Sequence, residues 1–98
     1  YIPIAQVTNL ARTIELLKSV DIWIIGSDQK APMIYTRADF TVPVCLVLGN
    51  EAEGLRQLVR EKCDLLVHLP MLGHLPSLNV SVAAGVLLYE VMRQRNPK

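Results

Sequence analysis

Ninety-eight residues carry ten basic and nine acidic side chains, a formal net charge of +1 and 51% hydrophobic residues. That length supports one small core and not two. The near-cancelling charge excludes a chain that binds nucleic acid over its whole surface, so a basic face must be a local patch or belong to a further segment. The mean hydropathy of +0.31 is high for a free-standing domain of this size. Much of the apolar surface must be covered, by a sheet packed on both faces or by another chain. No stretch approaches the ~18 apolar residues of a membrane span. Cys45 and Cys63 lack metal-ligand spacing and read as buried free thiols in a reducing cytosol, with a disulfide between them as the alternative. The chain opens on Tyr1 rather than Met, carries no signal peptide and reads as an excised or processed segment.

Taken in order, Ile2 to Gln6 suits a short extended piece, which Pro3 restricts to a strand start or an edge. Thr8 or Asn9 caps a helix whose apolar face is Leu10, Ala11, Ile14 and Leu17, with Arg12, Glu15 and Lys18 outward and Asp21 at its end. Ile22 to Gly26 is apolar throughout, as expected of a parallel strand covered on both faces. Ser27 to Val42 is the least regular stretch: a loop over Asp28, Gln29, Lys30 and Pro32, then a short helical turn at Tyr35 to Asp39. Val44 to Leu48 is the next strand. Gly54 and Leu55 open a short helix with Leu55, Leu58 and Val59 inward and Arg56, Arg60, Glu61 and Lys62 toward solvent. Leu65 to Leu69 is the last strand. The last helix runs from Ser77 to about Arg95, with Ser77 as an N-cap and Arg93, Arg95 and Lys98 complementing the helix dipole at its C-terminal end. The alternation predicts an α/β fold, a mostly parallel sheet with helices on both faces.

Several chemistries are excluded. There is no Gly-x-Gly-x-x-Gly opening a helix and no Gly-x-x-x-x-Gly-Lys phosphate loop. No serine sits in a nucleophile elbow, and neither His68 nor His74 has a partner at hydrolase spacing. His68, in a strand among apolar neighbours, reads as structural. Two other stretches stand out. Gly49-Asn50-Glu51-Ala52-Glu53-Gly54 puts two glycines around two carboxylates directly after a strand. It suits a strand-to-helix turn with acids at the helix N-terminus, and equally a turn whose backbone approaches a flat ligand. Leu69-Pro70-Met71 leads through a loop around Gly73 to Ser77-Leu78-Asn79-Val80-Ser81-Val82-Ala83. Leu69, Met71 and Leu78 suit core packing or the apolar walls of an adenine pocket. Asn79 suits a cap or first-turn residue.

These two blocks, in this order and at this interval, resemble the last two motifs of the SpoU/TrmH family of RNA 2′-O-ribose methyltransferases. Nearly the whole chain resembles the C-terminal part of the bacterial members that methylate a guanosine of large-subunit rRNA. The resemblance implies a SPOUT-type fold with a C-terminal trefoil knot and a homodimer with the last helix near the interface, where Ser81, Ala83, Ala84 and Gly85 permit close packing. It implies S-adenosylmethionine as cofactor, held by Leu48, Gly49, Leu69, Met71 and Leu78. Asn79, supported by Glu51 and Ser77, belongs to the catalytic constellation. No metal and no membrane are implied, and the setting is cytoplasmic. Residues 1–98 would then be the C-terminal part of the catalytic domain. The first motif, with its proton-accepting arginine, belongs to a segment upstream. Asn9-Leu10-Ala11-Arg12-Thr13 looks like that first motif, but the motif belongs well upstream, after a different strand, so Arg12 reads as a solvated helix arginine. Leu75-Pro76 departs from the family loop, which has small or polar residues there, and Pro76 stiffens it. The alternative function is a non-catalytic nucleotide-binding or dimerisation module on the same scaffold; a generic flavodoxin-like domain would show no preference for S-adenosylmethionine.

Overall fold

The computed structural model describes residues 10–49, 57–70 and 80–96. Within them the order is α1 (Leu10–Lys18), β1 (Trp23–Ser27), β2 (Met33–Ile34), a 3-10 turn (Tyr35–Arg37), β3 (Val44–Leu48), α2 (Gln57–Lys62), β4 (Leu65–His68) and α3 (Val80–Arg95). The four strands form one sheet in the order β2-β4-β1-β3, and every pairing is parallel. β1 is central: Ile25 stands opposite Leu46 of β3 on one side and Leu65 of β4 on the other.

Side chains alternate faces along each strand, and the alternation sorts the interior into two layers. Ile24, Val47 and Val59 pack with Ile14, backed by Leu10, Leu17, Cys45 and Leu66, so α1 and α2 cover one face. Ile25, Val44, Val67 and Leu69 pack with Phe40, Ala83, Leu87 and Val91, so α3 covers the other. Each fully buried side chain of the Ile14, Ile24 and Ile25 kind contributes about 1.5–3 kcal/mol of transfer free energy. This two-sided burial is what the uninterrupted apolar runs of β1 and β3 call for. Trp23, at the start of β1, is the exception and is half exposed.

The end of α1 is fixed by a Schellman arrangement. Asp21 takes a left-handed backbone (φ 63), its N–H donates to Lys18 O and the N–H of Ile22 donates to Leu17 O, both at 3.1 Å. Ile22 and Leu17 supply the apolar contact that accompanies this cap. Asp64 prolongs the β1–β4 pairing: its carboxylate accepts from Ile24 N at 2.7 Å and its own N–H donates to Ile24 O at 2.7 Å.

Three placements differ from the sequence reading. Leu58 was expected inward and is 57% exposed; α2 begins at Gln57 and is short enough that Val59 alone reaches the core. Arg60 and Lys62 were expected in solvent and are half-buried in ion pairs, Arg60 with Asp28 at 3.0 Å and Lys62 with Glu15. The irregular stretch after β1 contains a further strand, β2, whose two residues pair with Val67 and His68. At the far end, Arg95 does more than balance the helix dipole: its Nε and Nη2 donate to the carbonyls of Phe40 and Val42, each at 2.8 Å. The side-chain amide of Gln94 accepts from Phe40 N and donates to Ala38 O. The end of α3 thereby clamps residues 38–42 on the face of the sheet that α3 covers.

Candidate functional site

Because the sheet is parallel, the C-terminal ends of its strands share one edge, where open α/β sheets take their ligands. Ser27, at the end of β1, stands opposite both Leu48 of β3 and Val67 of β4. Gly49 follows Leu48 directly, and Leu69 follows His68. Gly49 and Leu69 therefore both stand at this edge, on either side of β1.

Leu48, Gly49 and Leu69 are the three expected cofactor residues that fall within the described chain. Leu69 is buried at 7% exposure and belongs to the core layer under α3; Leu48 is half-buried and packs against the same layer. Gly49 is half-buried. The fold thus brings Leu48 and Leu69 to the same face of the same sheet edge, on either side of β1, with Leu69 two residues beyond the level of Leu48. Met71, Leu78, Asn79, Glu51 and Ser77 lie outside the described residues. Arg12 is on exposed helix α1 surface, on the layer opposite Leu48 and Leu69.

Sequence reasoning missed one feature of this edge. Asp28, read as a loop residue, is 5% exposed. Its N–H donates to Val67 O at 2.9 Å and its carbonyl accepts from Ala31 N at 2.9 Å. One carboxylate oxygen accepts from Lys30 N at 2.9 Å and the other meets Arg60 Nε at 3.0 Å. The signal that could have found it is the aspartate itself, since an Asp-x-Lys turn directly after an apolar strand invites a side-chain-to-backbone hydrogen bond two residues on. The ring of His68 lies close by, with Nδ1 2.8 Å from Ala31 O. Residues 28–32 therefore bridge from β1 to β2 over β4, fastened to it by Asp28 and His68.

Among the described residues no three His, Cys, Asp or Glu side chains cluster as a metal site, and no helix is long and apolar enough to cross a membrane. Cys45 and Cys63 are free and half-buried. Burial pushes the Cys63 thiol up to about 11, and Cys45 is raised by the same cause.

The SpoU rRNA Methylase family profile matches residues 1–89. The chain belongs to this family. It is 52% identical over 95 residues to the 23S rRNA (guanosine-2'-O-)-methyltransferase RlmB of Ralstonia nicotianae, covering 97% of this chain and 38% of that protein. Among solved structures it is similar to the A. aeolicus TrmH/SpoU tRNA modifying enzyme, with a TM-score of 0.84 and 35% identity over 93% of this chain and 47% of the other. It is also similar to the SpoU methyltransferase AviRb from Streptomyces viridochromogenes in complex with the cofactor AdoMet, with a TM-score of 0.79 and 34% identity over 91% of this chain and 36% of the other. The chain spans about 39% of the length of the curated relatives it matches.

Proposed function

We propose that residues 1–98 are the C-terminal, cofactor-binding part of the catalytic domain of an RNA 2′-O-ribose methyltransferase, with a guanosine of 23S rRNA as its target. The observation that carries this is the sheet edge at which Leu48 and Gly49 stand on one side of β1 and Leu69 on the other. The AdoMet bound to AviRb and the substrate in the name of RlmB support the assignment.

S-adenosylmethionine supplies a methyl group on a sulfonium centre, open to in-line attack by a ribose hydroxyl. The chain's part is alignment and exclusion of water. We assign Leu48, Leu69, Met71 and Leu78 to the apolar walls around the cofactor, and Gly49 to a close backbone approach that no Cβ obstructs. Asn79 can both donate and accept through its amide. We assign it to orient the ribose hydroxyl or the group that removes its proton, with Glu51 and Ser77 in support. The proton acceptor is the arginine of the family's first motif, outside this chain.

The strand order supports the SPOUT-type knot. β4 lies between β1 and β2, although those two are joined by only residues 28–32; a later strand inserted beneath an earlier connection is how a chain becomes threaded. The surface of α3 supports a homodimer. Val82, Tyr89 and Met92 are 52%, 71% and 62% exposed, and a Cβ at Gly85 would meet nothing within 4 Å. Spaced three and four residues apart, they form one apolar stripe opposite the core face, a surface suited to burial against a second copy. Ala83, grouped with the small interface residues in the sequence reading, is instead 8% exposed in the core. An rRNA substrate sets the protein in the cytoplasm, in keeping with two free thiols.

The test is single-turnover methyl transfer to 23S rRNA by the full-length protein, with the position of the new 2′-O-methyl read by primer extension. Methyl transfer to a guanosine ribose supports the proposal; cofactor binding with no transfer to any RNA selects the non-catalytic module instead.

A further inference from the structure

Two carboxylates are buried among the described residues, Asp28 and Glu90, and only one of them joins elements distant in sequence. Asp28 follows Ser27, which stands opposite Leu48 and Val67, so it is level with Gly49 on one side and His68 on the other. By strand alternation its side chain points to the α2 layer, the face opposite Leu48 and Leu69. There it meets Arg60 of α2 at 3.0 Å. Arg60 Nε is sequestered from solvent and makes no formed hydrogen bond among the described residues, so the Asp28 charge compensates it. Breaking such a pair from one side strands the other charge in a poorly solvated position.

The placement has a consequence for Gly49 and Leu69. β3 ends at Leu48, just before Gly49, and the next described element is α2, which carries Arg60. Leu69 directly follows β4, and Asp28 is bonded to β4 through Val67 O. The Asp28–Arg60 pair therefore joins α2 to β4 from behind the sheet edge. We propose that Asp28 and Arg60 are positioning residues that set the relative placement of Gly49 and Leu69 at the sheet edge; this rests on the cofactor reading above. Neither touches the ligand. The pair fixes where Gly49 and Leu69 stand relative to each other, and a shift of about 1 Å in such a constellation is enough to cost binding and rate.

The experiment uses the full-length protein and measures S-adenosylmethionine affinity by calorimetry, with urea unfolding on every variant. Asp28→Asn and Arg60→Gln each remove one charge; Arg60→Lys keeps it; Glu90→Gln removes the other buried carboxylate, remote from the edge. The expected result is about a tenfold loss of affinity in Asp28→Asn and in Arg60→Gln, with no further loss when the two are combined, since coupled groups act as a unit. Arg60→Lys recovers most of the affinity, and Glu90→Gln lowers the unfolding midpoint with affinity unchanged. The proposal is overturned if the wild type binds and the charge-removing variants bind equally well, or if their affinity loss is matched by Glu90→Gln at equal destabilisation; either result leaves the cofactor reading standing. A wild type that binds no S-adenosylmethionine overturns that reading, and this proposal with it.

Discussion

The two buried carboxylates use the same chemistry at opposite ends of the sheet to different ends. Glu90 is paired within its own helix: Arg93, three residues on, donates to it through Nε at 2.8 Å and Nη2 at 2.6 Å, and Gln94 adds a third bond at 2.8 Å. That local network orders the last turns of α3, so that Gln94 and Arg95 can grip the carbonyls of residues 38–42. Asp28 reaches instead across the fold to Arg60, at the edge where Gly49 and Leu69 stand. A local pair stiffens one element; a distant pair sets the relation between two. Stability should follow the first, and function the second.

Perturbations at the motif edge should give the largest functional effects. Asn79→Ala should lower single-turnover methyl transfer roughly 10²-fold or more, the scale of a lost positioning or proton-transfer contact. Cofactor affinity, measured separately, should barely move, because Leu48, Gly49 and Leu69 remain. The about tenfold affinity loss on breaking Asp28–Arg60 comes next, and it sharpens the contrast because nothing in the pocket itself is altered.

At the other end the readout changes to assembly and stability. A Tyr89→Glu and Met92→Lys double variant should convert a two-chain species into a monomer in sedimentation, since charges on the exposed stripe of α3 oppose its burial against a second copy. Glu90→Gln should cost about 1–3 kcal/mol in urea unfolding, the scale of lost charge-assisted hydrogen bonds. Its pH dependence has a definite sign. The bonds from Arg93, aided by Gln94, hold the Glu90 carboxyl below its ordinary range. The stabilisation is therefore fully present above that range and is lost as the pH falls through the lowered value. Wild type should lose stability on that acid limb more steeply than Glu90→Gln. The smallest effect is expected from Arg12→Ala, which should leave methyl transfer nearly intact because α1 lies on the layer opposite Leu48 and Leu69. If that substitution abolishes transfer and Asn79→Ala does not, the two regions have been assigned in reverse.

The regular elements could be read from the sequence because their signals are local. Val44–Leu48 was expected at its observed bounds, and the amphipathic pattern of α1 buries Ile14 as its spacing requires. The parts that were not legible depend on partners far along the chain. β2 is two residues long and exists because β4 offers it an edge; no two-residue stretch carries a period. Arg60 looks like a surface residue until Asp28 is brought beside it, and Arg95 looks like a dipole counter-charge until the carbonyls of Phe40 and Val42 arrive. At the candidate site, Leu48, Gly49 and Leu69 could be picked out by residue type and motif, and the sheet brings all three to one edge. The tie behind them was hidden because its two halves lie 32 positions apart, on different elements.

The most direct test of the central claim, that this sheet edge holds S-adenosylmethionine, is calorimetric titration of the full-length protein and its Gly49→Val variant. The variant's fold should first be verified by an unchanged far-ultraviolet spectrum and urea midpoint. A side chain at Gly49 should fill the space that the bare backbone leaves to the ligand, so the wild type should bind and the folded variant should not. Unchanged affinity in a folded Gly49→Val protein would contradict the claim.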